Sequence, residues 1–365
     1  MKIRGAVLER VGAEPPYAIS RPLVICELDL DEPGPGEVRV RLEAAGVCHS
    51  DLSVVDGGRP RPVPMLLGHE GAGIVEACGD GATISVGQRV AITFLPRCGE
   101  CGGCKTEGVR PCDPGSAANA TGELISGGSR LRRSEDRISH HLGASVFATH
   151  AVVDERSVVP VGPDVPPAIA ALLGCAVLTG GGAVINVSPP RPGSTVAVVG
   201  LGGVGLAAVL VAAAHADVRV VGIDPLETKR AAAMACGADE VLSPNEIDDM
   251  GAELVIEAAG AASAFETAVS VTGLGGTTVT VGLPPADAIA AISPLALVAG
   301  GRRIVGSYLG SAVPARDIPL FERMWREGRL PVEHLVSDEL PLDEINVAMD
   351  RLREGAALRQ IIVPG

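Results

Sequence analysis

The stretch TVAVVGLGGVGLAAVLVAAAHA, residues 195–216, limits the fold more than any other: a short apolar run meets a glycine cluster, which opens a longer apolar run. Gly200, Gly202 and Gly205 take the G-x-G-x-x-G spacing between an expected strand and an expected helix. The first glycine permits a tight turn, the second lets backbone approach a pyrophosphate, and the third lets helix pack closely on strand. The helix N-terminus adds N–H donors and a positive dipole. With Gly203 and Val204 they form a candidate phosphate-cradling loop. The hexapeptide alone is a weak signal, but Asp224 closes RVVGID about 20 residues on, where a carboxylate accepts hydrogen bonds from an adenosine ribose. That carboxylate would repel a 2′-phosphate, and Pro225 and Leu226 follow it rather than an arginine, which favours NAD over NADP. Lys229, a helical turn further, is placed either to contact the ribose or to stand as a solvated lysine.

Strand-then-helix texture continues after this unit, through ETKRAAAMACG, ELVIEAAG, TTVTVG and RRIVGSY, and predicts a parallel sheet with helices on both faces. Before it, KIRGAVLER, GEVRVRLEAAGV, GAGIVEACG and GQRVAITF read as short strands separated by turns. The chain is therefore expected to be α/β overall, with a mostly β domain over 1–176 and a Rossmann nucleotide-binding domain over 177–307. Residues 308–365, with amphipathic helices near IPLFERMWREGRL and LDEINVAMDRLREG and a strand at LRQIIV, are expected to return to the first domain. Two domains suit 365 residues, and a composition 47% hydrophobic but only 2% aromatic suits layers packed on small side chains. Residues 113–139 show no periodicity and read as a polar surface loop.

A net charge of −14 argues against nucleic acid or an anionic membrane as partner and leaves a small molecule. No charged segment followed by an apolar one opens the chain, and the run Val196–Ala214 is broken by glycines, so the expected compartment is the cytoplasm. Thiols stay reduced there, and nine cysteines then read as metal ligands or free thiols before disulfides. Four of them, Cys98, Cys101, Cys104 and Cys112, fall in CGECGGCKTEGVRPC. A single loop with that spacing can present a tetrahedron of thiolates, the closed site that Zn²⁺ prefers. A redox pair or an iron–sulfur ligand run are the competing readings. Three further pieces carry ligand types: GVCHSDL with Cys48, LLGHEGAG with His69 and Glu70, and LLGCAVLTGGGAV with Cys175. Two thiolates and one imidazole leave a fourth position open, as in a catalytic zinc site.

These pieces together, with the four-cysteine loop lying between the second and third ligands, resemble the zinc-dependent alcohol dehydrogenases of the medium-chain dehydrogenase/reductase family. The resemblance runs through GVCHSD, GHEGAGIVEACG, HHLGASVFATHAVV, GCAVLTGGGAV, GLGGVG, VGLPP, GSYLGS and LRQIIV, nearly the whole chain. It implies a GroES-like catalytic domain beside the Rossmann domain, and two zinc ions per chain. Cys48, His69 and Cys175 would hold the catalytic zinc, and the four-cysteine loop the structural one. By the same resemblance Ser50 would take the alcohol proton, Asp51 would orient His69, and Glu70 would approach the metal during ligand exchange. His49 and Arg359 would contact the cofactor pyrophosphate, Thr179 would lie beside the nicotinamide, and backbone at Val281 and Leu309 would hold its carboxamide. Phe94, His141, Leu142, Leu283 and Tyr308 match positions that line the alcohol pocket. His141 reads either as a hydrogen-bond donor to a polar substrate group or as a buried histidine paired with backbone.

One departure concerns the proton path: where many relatives have a histidine three residues after the relay Ser or Thr, this chain has Ser53. The expected reaction is reversible oxidation of a primary, allylic or aromatic alcohol with hydride transfer to NAD. Arg130, Arg132, Arg133 and Arg137 keep a second reading open, oxidation of a formaldehyde–thiol adduct at a positively charged pocket mouth. A third, a nucleotide-binding protein without turnover, sits poorly with an intact ligand set. The retained 113–139 segment implies, again by resemblance, a homodimer with 290–310 near its interface.

Overall fold

TVAVV, RVVGI and LVIE carry apolar side chains at consecutive positions, the pattern of strands covered on both faces. In the computed structural model, which describes residues 1–247 and 250–365, they lie centrally in a six-stranded sheet. Its order is Glu240–Leu242, Arg219–Ile223, Thr195–Val199, Ala252–Glu257, Thr272–Thr280 and Arg303–Gly306, every neighbouring pair parallel. The order reverses between Thr195–Val199 and Ala252–Glu257, and the crevice beyond the carboxyl ends of those strands is where doubly wound sheets take ligands. Helix Gly203–Ala213 follows the first strand and is almost wholly buried, as its apolar residues on every face require.

The chain divides into two units, and this sheet belongs to the second, residues 107–109 and 176–335. The first comprises residues 1–106, 110–175 and 336–365. Within it, strands Lys2–Leu8, Leu23–Leu30, Leu131–Arg133, Asp136–His140 and Met65–Leu66 close a barrel. A further sheet runs Val158–Pro160, Arg89–Ile92, Gly71–Cys78, Glu37–Val47, Arg359–Val363 and Val336–Pro341, with His150–Asp154 also paired to Glu37–Val47. Val40, Leu42, Val75, Ile92, Phe147 and Ile362 share its buried core. The unit is mixed α/β with a β majority, as expected. Among the described residues no single helix is long and apolar enough to cross a membrane.

Two expectations change. Residues 113–139 are not an irregular loop: they form helix Asp113–Thr121 and two staves of the barrel, Leu131–Arg133 and Asp136–His140. The helix carried its signals, Pro114 in the first turn and Gly122 as a left-handed cap with φ 71°, whereas strands of three and five residues are too short to display alternation. Residues 308–335 do not return with the tail, which begins at Val336. Helix Pro314–Arg326 buries Ile318, Phe321 and Met324 within the second unit, and Gly181 makes room for the Phe321 ring: a Cβ there would lie 2.9 Å from it.

Candidate active site

Cys48 ends strand Glu37–Val47 and caps helix His49–Val55 in an extended conformation. His69 and Glu70 follow the short strand Met65–Leu66, and Cys175 follows helix Pro167–Leu173. The fold of the first unit brings these four together: their ligand atoms all lie within 4.8 Å of one another, and all four residues are buried. Cys175 Sγ is 3.5 Å from His69 Nε2. Tetrahedral zinc, with bonds of about 2.3 Å to sulfur and about 2.0–2.1 Å to nitrogen, holds such atoms about 3.5–3.6 Å apart.

Protonation points the same way. The Cys48 thiol is held well below its usual range by a hydrogen bond from Cys175, while Cys175 is pushed well above it by that same bond and by burial. His69 is pulled down by burial, but the Asp51 carboxylate more than reverses this and holds it well above the usual histidine range. Without a cation the cluster thus keeps protons that a divalent metal would displace. Both Glu70 oxygens are buried with no hydrogen-bond partner, and burial pushes its carboxyl up to about 7. Arg359 Nη1 lies 3.7 Å from it. With those protons displaced, the two thiolates, the imidazole Nε2 and the Glu70 carboxylate make a donor set that fits zinc.

Asp51 lies in the first turn of helix His49–Val55 and is inaccessible to solvent. Its Oδ1 accepts from His69 Nδ1 at 2.9 Å, which leaves Nε2 as the nitrogen available to a metal, and its Oδ2 accepts from the Cys48 backbone N–H at 3.1 Å. His141 is buried beside Asp51 and His69. Its Nδ1 lies 3.2 Å from Asp51 Oδ1 without hydrogen-bond geometry, and its ring stands edge-on to His69, so it faces a carboxylate rather than backbone. Phe94 stands edge-on to His69 from another side, with centroids 5.4 Å apart. The backbone there is fixed by Asn119 Nδ2 donating to Phe94 O at 2.7 Å, which gives helix Asp113–Thr121 a place in the site. Leu142 adopts φ 53° in a turn that Ser145 pins, accepting from His141 N and donating to Leu66 O.

Ser50 is half-buried and His49 exposed at the start of the same helix. Ser53 donates its hydroxyl to His49 O at 2.9 Å and is thereby committed to the helix. Arg359 is 3% exposed and donates to Val47 O, placed against Glu70.

The four-cysteine loop also closes. Cys98 and Cys104 sulfurs are 3.9 Å apart and those of Cys101 and Cys112 4.0 Å, against about 3.8 Å for a tetrahedral zinc–tetrathiolate. Backbone N–H groups of Cys98, Cys101, Cys104 and Asp113 point at these sulfurs. Those of Glu100 and Cys101 draw the Cys98 thiol down to about 6, while burial pushes Cys104 up to about 12. Neither a disulfide nor a strand-to-helix redox motif is present at these cysteines.

In the second unit Gly200 has φ 90°, and a Cβ on Gly205 would lie 1.9 Å from Gly200 O. A Cβ on Gly202 would meet nothing within 4 Å, so its backbone borders open space where a pyrophosphate can approach. Asp224 accepts from Leu201 N and Leu226 N, one bond per oxygen, each oxygen keeping a lone pair. Lys229 is half-buried, and Arg230, unremarked in the sequence, is tied to the carbonyls of Asp224 and Pro225. Gly203 and Val204 begin the helix, and Gly180 lies against Val204 O, where a Cβ would come within 2.0 Å, setting Thr179 beside the glycine loop. Val281 N–H is committed to Glu257 O, leaving its carbonyl for an amide partner. Leu309 is buried with φ 52°, while Leu283 and Tyr308 are 45% and 37% exposed.

Each of the four arginines that suggested a cationic pocket mouth has a carboxylate. Arg130 grips the buried Glu37 with two bonds of 2.7 and 2.8 Å, Arg132 meets Asp31, Arg133 meets Glu9, and Arg137 meets Glu123.

Comparison with known proteins matches residues 34–164 to the alcohol dehydrogenase GroES-like domain and residues 203–325 to the zinc-binding dehydrogenase family. A Mycobacterium tuberculosis protein named "Putative alcohol dehydrogenase D" is 35% identical over the full length of both chains. Benzyl alcohol dehydrogenase from Acinetobacter calcoaceticus superposes with TM-score 0.91 at 31% identity, again over both whole chains. An alcohol dehydrogenase zinc-binding domain protein from Burkholderia ambifaria gives TM-score 0.92 at 30% identity with the same full coverage.

Proposed function

Because the chain belongs to the alcohol dehydrogenase family of zinc-binding dehydrogenases, we propose that it oxidises a primary aromatic or allylic alcohol to the aldehyde, reversibly, with NAD as hydride acceptor. The observation that carries this reading is the buried Cys48–His69–Cys175 set, with His69 Nε2 freed by Asp51 and set 3.5 Å from Cys175 Sγ. Zinc bound there supplies a Lewis acid that lowers the pKa of an alcohol, and NAD supplies the electrophilic C4 that takes the hydride.

The chain's own residues do the rest. Cys48 and Cys175 give up their protons to hold the metal, and Asp51 keeps the His69 ring in the ligating tautomer. Ser50 takes the hydroxyl proton; with Ser53 bonded to His49 O, that proton passes from the half-buried Ser50 to water. Phe94 offers a flat apolar wall next to His69, which suits an aromatic ring, and the benzyl alcohol dehydrogenase likeness supports that substrate class. Asp224, with a free lone pair on each oxygen, supports NAD over NADP, the neighbouring Arg230 being spent on the carbonyls of Asp224 and Pro225. The second ligand cluster, Cys98, Cys101, Cys104 and Cys112, supports one structural zinc beside one catalytic zinc.

The assembly proposed is a homodimer. Ile289, Leu295 and Val298 are 88%, 76% and 82% exposed, helix Pro294–Gly300 buries none of its residues, and strand Arg303–Gly306 ends its sheet. Apolar side chains grouped at a sheet edge favour burial against a second copy.

The test is NADH formation over aliphatic, allylic and benzylic alcohols, repeated with formaldehyde plus thiols. Turnover of benzylic alcohols without thiol is expected; activity confined to the thiol adduct would replace the substrate reading.

A further inference from the structure

Strand Ala252–Glu257 ends on a glutamate that the sequence gives no reason to notice, inside the run ELVIEAAG. Glu257 is 1% exposed, and every group it carries is used. Its Oε1 accepts from Ala259 N at 2.9 Å and Gly260 N at 2.7 Å, while Oε2 accepts from Thr280 Oγ1 at 2.6 Å. Its main-chain oxygen accepts from Val281 N and Gly282 N, at 2.9 and 3.1 Å. One residue therefore joins the turn after its own strand to the segment that leaves the neighbouring strand Thr272–Thr280.

Both segments border the nucleotide loop or its expected neighbours. Gly200 rests directly on Ala259: a Cβ on Gly200 would lie 2.6 Å from Ala259 N. Ala258 N donates to Val199 O, the last residue of the strand leading into the glycine loop. Gly260 is packed against Leu283, and Gly282 against Gly260, where added Cβ atoms would come within 2.9 and 2.3 Å of backbone nitrogens. Glycines at these contacts allow backbone to touch backbone, so a shift of the 258–260 turn is passed on to Gly200 on one side and to Val281–Leu283 on the other.

We infer that Glu257 is a positioning residue for the dinucleotide: its side chain locks the 258–260 turn under Gly200 and ties that turn to Thr280. This inference rests on the cofactor reading above. Hydrogen bonding, not charge, does the holding. A glutamine at 257 could still accept from Ala259 and Gly260 through its oxygen while its amide donates to the Thr280 hydroxyl, which can act as acceptor as readily as donor. An alanine loses all three side-chain bonds and leaves two part-buried N–H groups without that acceptor.

The experiment uses the full-length, zinc-loaded protein and compares wild type, Glu257→Ala, Glu257→Gln and Thr280→Val. Read-outs are the dissociation constant for NADH by fluorescence, KM for NAD and for benzyl alcohol separately, and zinc content. Glu257→Ala is expected to weaken NADH binding and raise KM for NAD about tenfold or more, with KM for the alcohol and zinc content unmoved. Glu257→Gln is expected to restore wild-type values, and Thr280→Val to show a smaller loss in the same direction, which keeps the test open if the alanine variant does not fold. NADH affinity unchanged in both Glu257→Ala and Thr280→Val, or a glutamine variant as weak as alanine, overturns the inference. Failure of wild type itself to bind NADH would instead overturn the cofactor reading.

Discussion

Replacing Asp51 by asparagine changes no volume and removes one acceptor from a place where both are used. The carboxylate is wholly buried, Oδ1 bonded to His69 Nδ1 at 2.9 Å and Oδ2 to Cys48 N at 3.1 Å. An asparagine must turn its amide N–H₂ toward one of those partners. Turned toward Cys48, it sets donor against donor at the cap of the helix that carries Ser50. Turned toward His69, it asks Nδ1 to become the acceptor, which moves the imidazole proton to Nε2, the nitrogen that faces Cys175. Either way one hydrogen bond to a charged group is lost, worth about 1.5–3 kcal/mol, and the negative charge that favours a cation goes with it. That corresponds to roughly tenfold to hundredfold weaker zinc binding, in line with the usual cost of removing a ligand's supporting partner. Zinc affinity measured by competition with a chelating dye, alongside kcat/KM for benzyl alcohol, should show both falling together. Asp51→Asn with wild-type zinc affinity and wild-type kcat/KM would refute the argument that this carboxylate sets the ligating nitrogen.

Three further outcomes are expected. Cys101→Ser removes the sulfur that accepts from both Cys104 N and Asp113 N, so chelator-released zinc should fall by one ion per chain and the melting temperature should drop, by calorimetry. Gly205→Ala pushes a methyl to 1.9 Å from Gly200 O and should displace the glycine loop at a cost of about 1–3 kcal/mol, seen as weaker NADH binding with zinc content intact. His140 gives a pH signature: burial, then Arg130 and Arg137, hold its pKa down to about 3, while Arg130 N donates to its Nε2. The unfolded chain takes up this proton below about pH 6.5 and the folded chain does not, so the contribution is full above that pH and shrinks as pH falls toward 3. His140→Gln should therefore reduce the stability lost between pH 7 and pH 5 by about 2 kcal/mol in denaturant titrations.

Metal and nucleotide ligands were legible because their chemistry depends on residue type at short spacing. Four thiols within one loop, and glycines between an apolar strand and an apolar helix, constrain geometry before any tertiary contact is known. Cys48, His69 and Cys175 come from distant segments, and only their number and kind pointed to a shared site; the sheet and barrel decide that they meet. His141 shows the limit of such reading. Its type was visible, but that it would face Asp51 follows from a left-handed turn at Leu142 pinned by Ser145, which no spacing announces. The barrel staves at Leu131–Arg133 and Asp136–His140 were hidden by their shortness, and the arginines in and beside them looked like free charge because their carboxylates, Glu9, Asp31, Glu37 and Glu123, lie far off in sequence or on another element. Residues 308–335 share the amphipathic helical texture of the tail, and it is packing such as Phe321 on Gly181 and the bond from Asn186 to Asp317 that shows to which unit they belong. Glu257 carried no signal at all, since a glutamate at a strand end is usually solvated.

The central claim is that this chain moves hydride from an alcohol carbon to a nicotinamide. It is tested most directly by incubating zinc-loaded protein with NAD and benzyl alcohol deuterated at the carbinol carbon, then analysing the product cofactor by mass spectrometry. The account predicts NADH carrying deuterium at nicotinamide C4, formed together with benzaldehyde and abolished in Cys48→Ala. Unlabelled NADH, or no NADH from protein with both metal clusters filled, would contradict it.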